Sequence, residues 1–431
     1  MLVGLSDRES ASVEAVSTVG EQCDIASRAG ELLQEVLRRT HLSSAPDLAT
    51  VVAEEARRIA ADSLVPYVVD QEQKRLIPVP HPGSPDGEPL QIQGTVAGRA
   101  FASTSIIQLQ DDGGSRRLWL PLIDGAERLG VVEMSFGGRQ EPLPEALVAL
   151  CERLSHLIAT LITNKDLYSD FFKLLRRRQS MTMASELIWD LVPPQVLATD
   201  AFVLGALLEP AYDNGGDAYD YAVNAEGILH FAVFDAMGHG LAAAGVAAFA
   251  LAAYRHSRRH GESPATRYKT IDAAIFEQYP TSRFVTGLIA ELELATGRLS
   301  WISAGHPPPL LLRSGHLVKP LDITPSPPLG MRLATREPIE GEEWLEPGDM
   351  LLLYTDGLTE ARRPDGELFT VERLGEFIER QAANGLPAPE TLRGLREAII
   401  ERGEGALRDD ATALLLEWHK STAHSLLPQT V

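Results

Sequence analysis

The sequence predicts an α+β protein of two successive domains joined by a helical segment. Three observations carry that expectation. The chain has 431 residues, more than one ordinary hydrophobic core organises. Apolar runs of strand length follow one another at hairpin spacing through the C-terminal half. Amphipathic helical stretches lie between them but are outnumbered, which favours antiparallel sheets with helices packed outside.

Taken in order, residues 1–43 hold a lead-in helix, Val19 to Arg39, with Ala26, Ala29, Leu32, Leu33, Val36 and Leu37 at helical spacing. Residues 44–165 read as a small α+β domain. Its elements are a helix from Leu48 to Ala61, strands at Leu64–Val69, Arg117–Leu122 and Leu129–Phe136, and a long helix from Pro142 to Thr163. The Pro- and Gly-rich stretch His81 to Gly87 is turn chemistry. The phrases Gly94-Thr-Val-Ala-Gly98-Arg-Ala-Phe101, Leu118-Trp-Leu-Pro-Leu122 and Leu129-Gly-Val-Val-Glu-Met134 resemble the GAF sensory domain. That resemblance implies a sheet and loops enclosing a pocket for a small-molecule or protein signal of unknown identity. A GAF-like block can equally serve only to pair two chains as a homodimer.

Residues 166–195 form a charged helical linker that stops at Pro193-Pro194, where a helix cannot continue. Such a helix either transmits a change between domains or is a solvated spacer. From 196 to 418 the strands are Phe202–Leu208, Ile228–Phe234, Phe284–Leu294, Leu299–Ser303, Leu310–Leu312, Met350–Tyr354 and Thr412–Trp418. The helices between them are Leu241–His260, Tyr268–Gln278, Val371–Ala383 and Ala388–Glu401, and 419–431 is expected to be a disordered tail.

Composition narrows the function. With 39 Lys and Arg against 60 Asp and Glu the formal charge is −21, which argues against nucleic-acid or anionic-membrane partners. Cys23 and Cys151 stand far apart, so neither a disulfide framework nor a thiolate zinc site is expected. Asp7, Glu9 and Glu14 interrupt any signal-peptide pattern. The most apolar run, Gly240 to Tyr254, is shorter than the roughly 20 residues a spanning helix needs. The expected location is the cytoplasm.

Four aspartate-bearing turns carry the chemistry: Gly215-Gly216-Asp217, Phe234-Asp235-Ala236-Met237-Gly238-His239-Gly240, Tyr354-Thr355-Asp356-Gly357 and Asp409-Asp410-Ala411-Thr412. Singly, each is a common turn signal. Gathered by a fold, they would repel one another unless a cation neutralised them, and carboxylate, carbonyl and water suit hard divalent ions.

Those phrases, with Glu209-Pro210 and Ser303-Ala-Gly-His-Pro-Pro308, resemble the SpoIIE/RsbU class of metal-dependent serine/threonine protein phosphatases, relatives of protein phosphatase 2C. They occur in the family's order between Phe202 and Trp418. The resemblance implies an α-β-β-α sandwich phosphatase domain with two Mn2+ or Mg2+ ions at one edge of the paired sheets. By position Asp235 bridges both ions, the Ala236 carbonyl binds the first, Asp356 and Asp409 hold the second, and Asp217 acts through bound water or helps hold an additional ion or the first. Asp410 is expected to support the ligands without binding metal. The catalytic residues are then Asp235 and Asp217. The resemblance further implies a phosphorylated protein substrate, a STAS-domain anti-sigma-factor antagonist in a partner-switching pathway.

Two positions depart from the family pattern: Phe234 stands where glycine is usual before the bridging aspartate, and Asn214 where a small apolar residue is common. Phe234 leaves a second reading open, a catalytically weak scaffold that binds the same partner. A nucleotide phosphodiesterase is disfavoured because its usual His-Asp metal pairs are missing. His239 and His306 are read as structural in preference to catalytic, and His256 and His260, four apart on a helix, as a solvated face in preference to a zinc clasp.

Overall fold

The computed structural model describes residues 29–82, 88–110, 114–138, 142–213, 215–280, 283–333, 336–361, 368–400, 407 and 409–419. The chain divides into two compact units between Arg178 and Gln179. The start of the predicted lead-in helix, part of the 81–87 turn, Asn214, Cys23 and the tail beyond 419 lie outside the described residues.

The first unit opens with α1 (residues 29–40) and α2 (Leu48–Ala56). The helix expected to reach Ala61 ends its α-helical part at Ala56, and one 3-10 turn follows before Ala60 adopts a left-handed conformation. Then come β1 (Ser63–Val69), β2 (Arg75–Pro78), β3 (Leu90–Gln91), α3 (Val96–Ser103), β4 (Ile107–Gln110), β5 (Arg116–Asp124), β6 (Glu127–Phe136), α4 (Glu145–Asp166) and α5 (Phe171–Leu175). The strands form one antiparallel sheet ordered β3-β2-β1-β6-β5-β4. The two-residue period of a strand sends Leu118, Leu120 and Leu122 of β5 to a core shared with α1, α2, α4 and α5. Trp119 of β5 with Tyr67 and Val69 of β1 faces the other side, a smaller core under Phe101 of α3. By length and composition α4 could cross a bilayer, but half of its apolar window is buried within this unit.

The predicted linker is not one helix. Phe172 of α5 is buried in the core of the first unit, whereas Ile188 of the next helix, α6 (Met183–Leu191), is buried in that of the second. Each segment carries apolar residues that its own unit covers, so the stretch 166–195 is divided between the units.

The second unit continues with β7 (Val196–Ala198), β8 (Phe202–Glu209), β9 (Asp217–Val223), β10 (Ile228–Ala236), α7 (Gly240–Arg259), α8 (Pro264–Gln278), β11 (Val285–Glu293), β12 (Arg298–Ala304), β13 (Leu310–Arg313), β14 (His316–Pro320), β15 (Gly341–Trp344), β16 (Met350–Tyr354), α9 (Asp356–Glu360), α10 (Val371–Ala383), α11 (Ala388–Ile400) and β17 (Ala411–Trp418). One sheet runs β15-β12-β11-β10-β9 and the other β14-β13-β16-β17-β8-β7, all paired antiparallel. Helices α7 and α8 pack on the first sheet, α10 and α11 on the second, and the inner faces meet through residues such as Leu288, Leu353 and Leu414. The architecture is a four-layer α-β-β-α sandwich.

Candidate metal centre

The site is assembled by strand register. In the β9/β10 ladder Asp217 lies directly opposite Asp235, and in the β10/β11 ladder Asp235 lies directly opposite Thr286. Directly paired side chains share a face of the sheet with Cβ atoms only about 5 Å apart, and like charges so placed repel. In sequence Gly215-Gly216-Asp217 reads as a turn; in the structure Asp217 is the first residue of a strand whose mix of acidic and aromatic residues gives no apolar run.

The second sheet brings the remaining acids. Thr355 follows β16 as the N-cap residue before Asp356, the first residue of α9, while Asp409 and Asp410 precede β17. Thr355 joins the sheets: its hydroxyl donates to Asp217 Oδ2 at 2.8 Å and accepts the Thr412 N–H at 2.9 Å. Its own N–H donates to the Thr412 carbonyl at 3.0 Å. A Cβ on Gly357 would stand 1.9 Å from the Asp410 carbonyl, so only glycine lets α9 begin against the strand that carries Asp409 and Asp410.

Asp410 Oδ2 accepts the backbone N–H groups of Gly215 at 2.9 Å, of Gly216, and of Asp217 at 3.4 Å. It thereby ties the Gly215-Gly216 turn to β17. Asp235 receives a long hydrogen bond, 3.4 Å, from the Thr286 hydroxyl.

Electrostatics follow from this crowding. Burial, then the charges of Asp235 and Asp410, holds the Asp217 carboxyl well above the usual carboxylate range. Burial, then Asp356 and Asp409, pushes Asp235 up to about 6. Burial, then Asp409, raises Asp356, and burial raises Asp410 against the pull of its three N–H donors. Among the described residues none of Asp217, Asp235, Asp356, Asp409 and Asp410 forms an ion pair.

The donor set fits a hard divalent cation. All its side-chain atoms are carboxylate or hydroxyl oxygens, and a Cβ on Gly216 would come within 2.9 Å of the Ala236 carbonyl oxygen, so the bare glycine keeps that oxygen approachable. Among the described residues no group of three Asp, Glu, His or Cys side chains closes into a cage. Water and main-chain oxygen must therefore complete any coordination shell.

Phe234 does not intrude on this arrangement. Neighbouring residues of a strand face opposite ways, so its ring turns from Asp235 toward α7, where it lies fully buried and edge-on to Tyr254 at 5.7 Å. The space is provided by Gly287, its cross-strand partner on β11, where a Cβ would stand 2.7 Å from the Phe234 ring.

His306 is buried behind Thr286, with Nδ1 3.4 Å from that hydroxyl, and burial lowers its pKa to about 4, leaving a neutral ring. His239 is exposed in the extended residue before α7, and its side chain caps no N–H of that helix. His256 and His260 bring their rings to 4.2 Å, with no third ligand among the described residues. Sequence reasoning missed Thr286 and Thr355 as site residues; the first is visible only through register, whereas the second stands inside the Tyr354-Thr355-Asp356-Gly357 phrase.

Comparison with known proteins finds relatives of this chain. Residues 225–419 match the family described as Stage II sporulation protein E (SpoIIE), a stretch that begins after Asp217. Protein IcfG of Synechocystis sp. is 32% identical over 146 residues, 34% of this chain and 22% of that protein. Phosphoserine phosphatase RsbU of Bacillus subtilis is 25% identical over 244 residues, 56% of this chain and 70% of RsbU. The chain thus spans under a quarter of one relative and over two thirds of the other. Among solved structures, the RsbU and RsbW domains of a Mycobacterium tuberculosis protein align at 27% identity and TM-score 0.44, covering 54% of this chain and 64% of that one.

Proposed function

From the SpoIIE/PP2C-type phosphatase domain that this chain carries, we propose that it is a metal-dependent protein phosphatase releasing phosphate from phosphoserine or phosphothreonine. The observation that carries the reading is the cross-strand pair Asp217–Asp235, flanked by Asp356, Asp409 and Asp410 and met by no cationic side chain among the described residues. Asp235 would bridge two Mn2+ or Mg2+ ions, the Ala236 carbonyl would bind the first, Asp356 and Asp409 would hold the second, and Asp217 would act through bound water. Such ions supply charge neutralisation for the phosphoryl group and a water of lowered pKa.

The chain's own residues do the positioning. Thr355 fixes the Asp217 carboxylate across the two sheets, Thr286 orients Asp235, and Asp410 holds the glycine turn that leads into Asp217. The two catalytic aspartates remain within one sheet, so their spacing is set by a ladder and not by a loop. No covalent nucleophile is required.

Similarity to phosphoserine phosphatase RsbU supports a phosphoserine substrate, which we read as a STAS-type anti-sigma-factor antagonist in a partner-switching pathway; the first unit, through its sequence resemblance to the GAF domain, would gate the second. The test is hydrolysis of a phosphoserine protein and of an aryl phosphate by the intact chain with Mn2+, alongside Asp235→Ala. Activity that needs metal and disappears in the variant is expected. An intact chain inert at saturating metal overturns the reading in favour of a scaffold that binds the same partner.

A further inference from the structure

We propose that Arg283 anchors the phosphoryl group of the substrate, an assignment that rests on the phosphatase reading above. Arg283 lies just ahead of β11, where that strand runs beside the carboxylate end of β10. There Ala236 pairs with Val285, and the Phe284 carbonyl accepts the Met237 N–H at 3.1 Å. These bonds fix the main chain on both sides of the guanidinium's base. The guanidinium itself lies over the Met237-Gly238 turn: Nη1 donates to the Met237 carbonyl at 3.3 Å, and a Cβ on Gly238 would stand 3.1 Å from the same nitrogen. The carbonyl that holds it belongs to the residue immediately after Ala236.

Among the described residues Arg283 has no carboxylate partner, unlike the guanidiniums that tie helices and strands of this unit together. Arg255 and Arg258 meet Asp220, Arg267 meets Glu291, Arg313 meets Asp349, and Arg396 meets Glu209. Arg283, though its tether directly follows the Asp235-Ala236 pair, forms no ion pair with any described residue. A guanidinium has five N–H donors, and one carbonyl engages only one of them. The partly exposed fork is thus held in place without being neutralised. A planar fork of that kind matches two oxygens of a phosphate, which a lysine cannot do. Beside the ions that would neutralise a phosphate monoester dianion, Arg283 adds positive charge of the chain's own.

The test is made on the full chain with Mg2+, measuring KM and kcat on a phosphoserine protein and the affinity for inorganic phosphate by calorimetry. Arg283→Ala is expected to raise KM and to weaken phosphate binding by about tenfold to a hundredfold, the usual worth of a charge-assisted hydrogen bond, with Mg2+ affinity unchanged. Arg283→Lys keeps the charge without the fork and is expected to fall between. If Arg283 only pins the Met237-Gly238 turn, Arg283→Ala lowers thermal stability and Mg2+ affinity while KM and phosphate affinity keep their parental values, and the proposal is overturned. If the parent turns over no substrate, the phosphatase reading fails on its own account and the phosphate titration still decides. Binding by the parent that Arg283→Ala loses sustains the anchor, whereas equal binding, or none by the parent, overturns it.

Discussion

Strand β9 carries two buried aspartates on opposite faces, and the chain treats them differently. Asp220 turns toward α7, where Arg255 at 2.7 Å and Arg258 at 2.9 Å neutralise it. On the same face Glu291 is met by Arg267 at 2.7 Å and by His230 at 2.9 Å. Asp217 turns the other way, toward Asp235, and its carboxylate receives only hydroxyl support, with no cationic partner among the described residues. A buried carboxylate costs several kcal/mol unless it is paired, so the helix face is complete as a folded structure and the opposite face is complete only with a ligand of positive charge. On the proposed function, the difference separates charges that hold the domain together from charges kept for chemistry.

The comparison can be broken by exchanging the two aspartates' fates. The largest effect is expected for Asp235→Asn, which should cut metal-dependent hydrolysis by on the order of a hundred- to a thousandfold while leaving the fold intact by circular dichroism. Asp220→Asn should do the reverse. It strands two arginines in a largely buried place, costs about 3 kcal/mol in a denaturant titration, and leaves turnover per folded molecule near the parental value. An Asp220 variant that folds normally but is inactive would show that the two faces are not separable.

Titration sharpens the same contrast. Asp235 has its pKa raised from 3.8 to about 6, so the native state binds more protons than the unfolded one. Its contribution to stability is therefore fully present below about 4 and is lost as pH rises through about 6. Metal-free protein should lose thermal stability across that window, and Mg2+ should raise the melting temperature strongly at pH 7 and weakly at pH 5. Asp235→Asn should flatten both trends. The smallest effect is expected for Thr286→Val, because the bond it removes is already 3.4 Å long: a few-fold loss of cation affinity by calorimetry, with the fold unchanged.

The parts of this arrangement that sequence makes legible are local. Asp235 and Asp356 with their glycines, and Asp409, stand beside apolar runs that end in the same motifs, so the acids and the strands around them could be read together. Strand β9 was not legible, because Asp217-Ala-Tyr-Asp-Tyr places an acid on each face and shows no apolar side. Nor were Thr286 and Arg283, whose neighbours are set by antiparallel register with a strand some fifty positions away in sequence. Phe234 looked like an obstacle from sequence alone; the compensation is Gly287, which nothing short of the pairing identifies. The linker looked continuous because both of its helices are amphipathic, and only their separate cores divide them.

The most direct test of the account is a calorimetric titration of Mn2+ into the full chain, run beside Asp235→Asn and Asp220→Asn at pH 7. The account predicts that the parent and Asp220→Asn bind the ion alike and that Asp235→Asn loses most of the binding. Equal binding by Asp235→Asn and the parent would contradict it, since the unneutralised face of β9 and β10 would then hold no ion of its own.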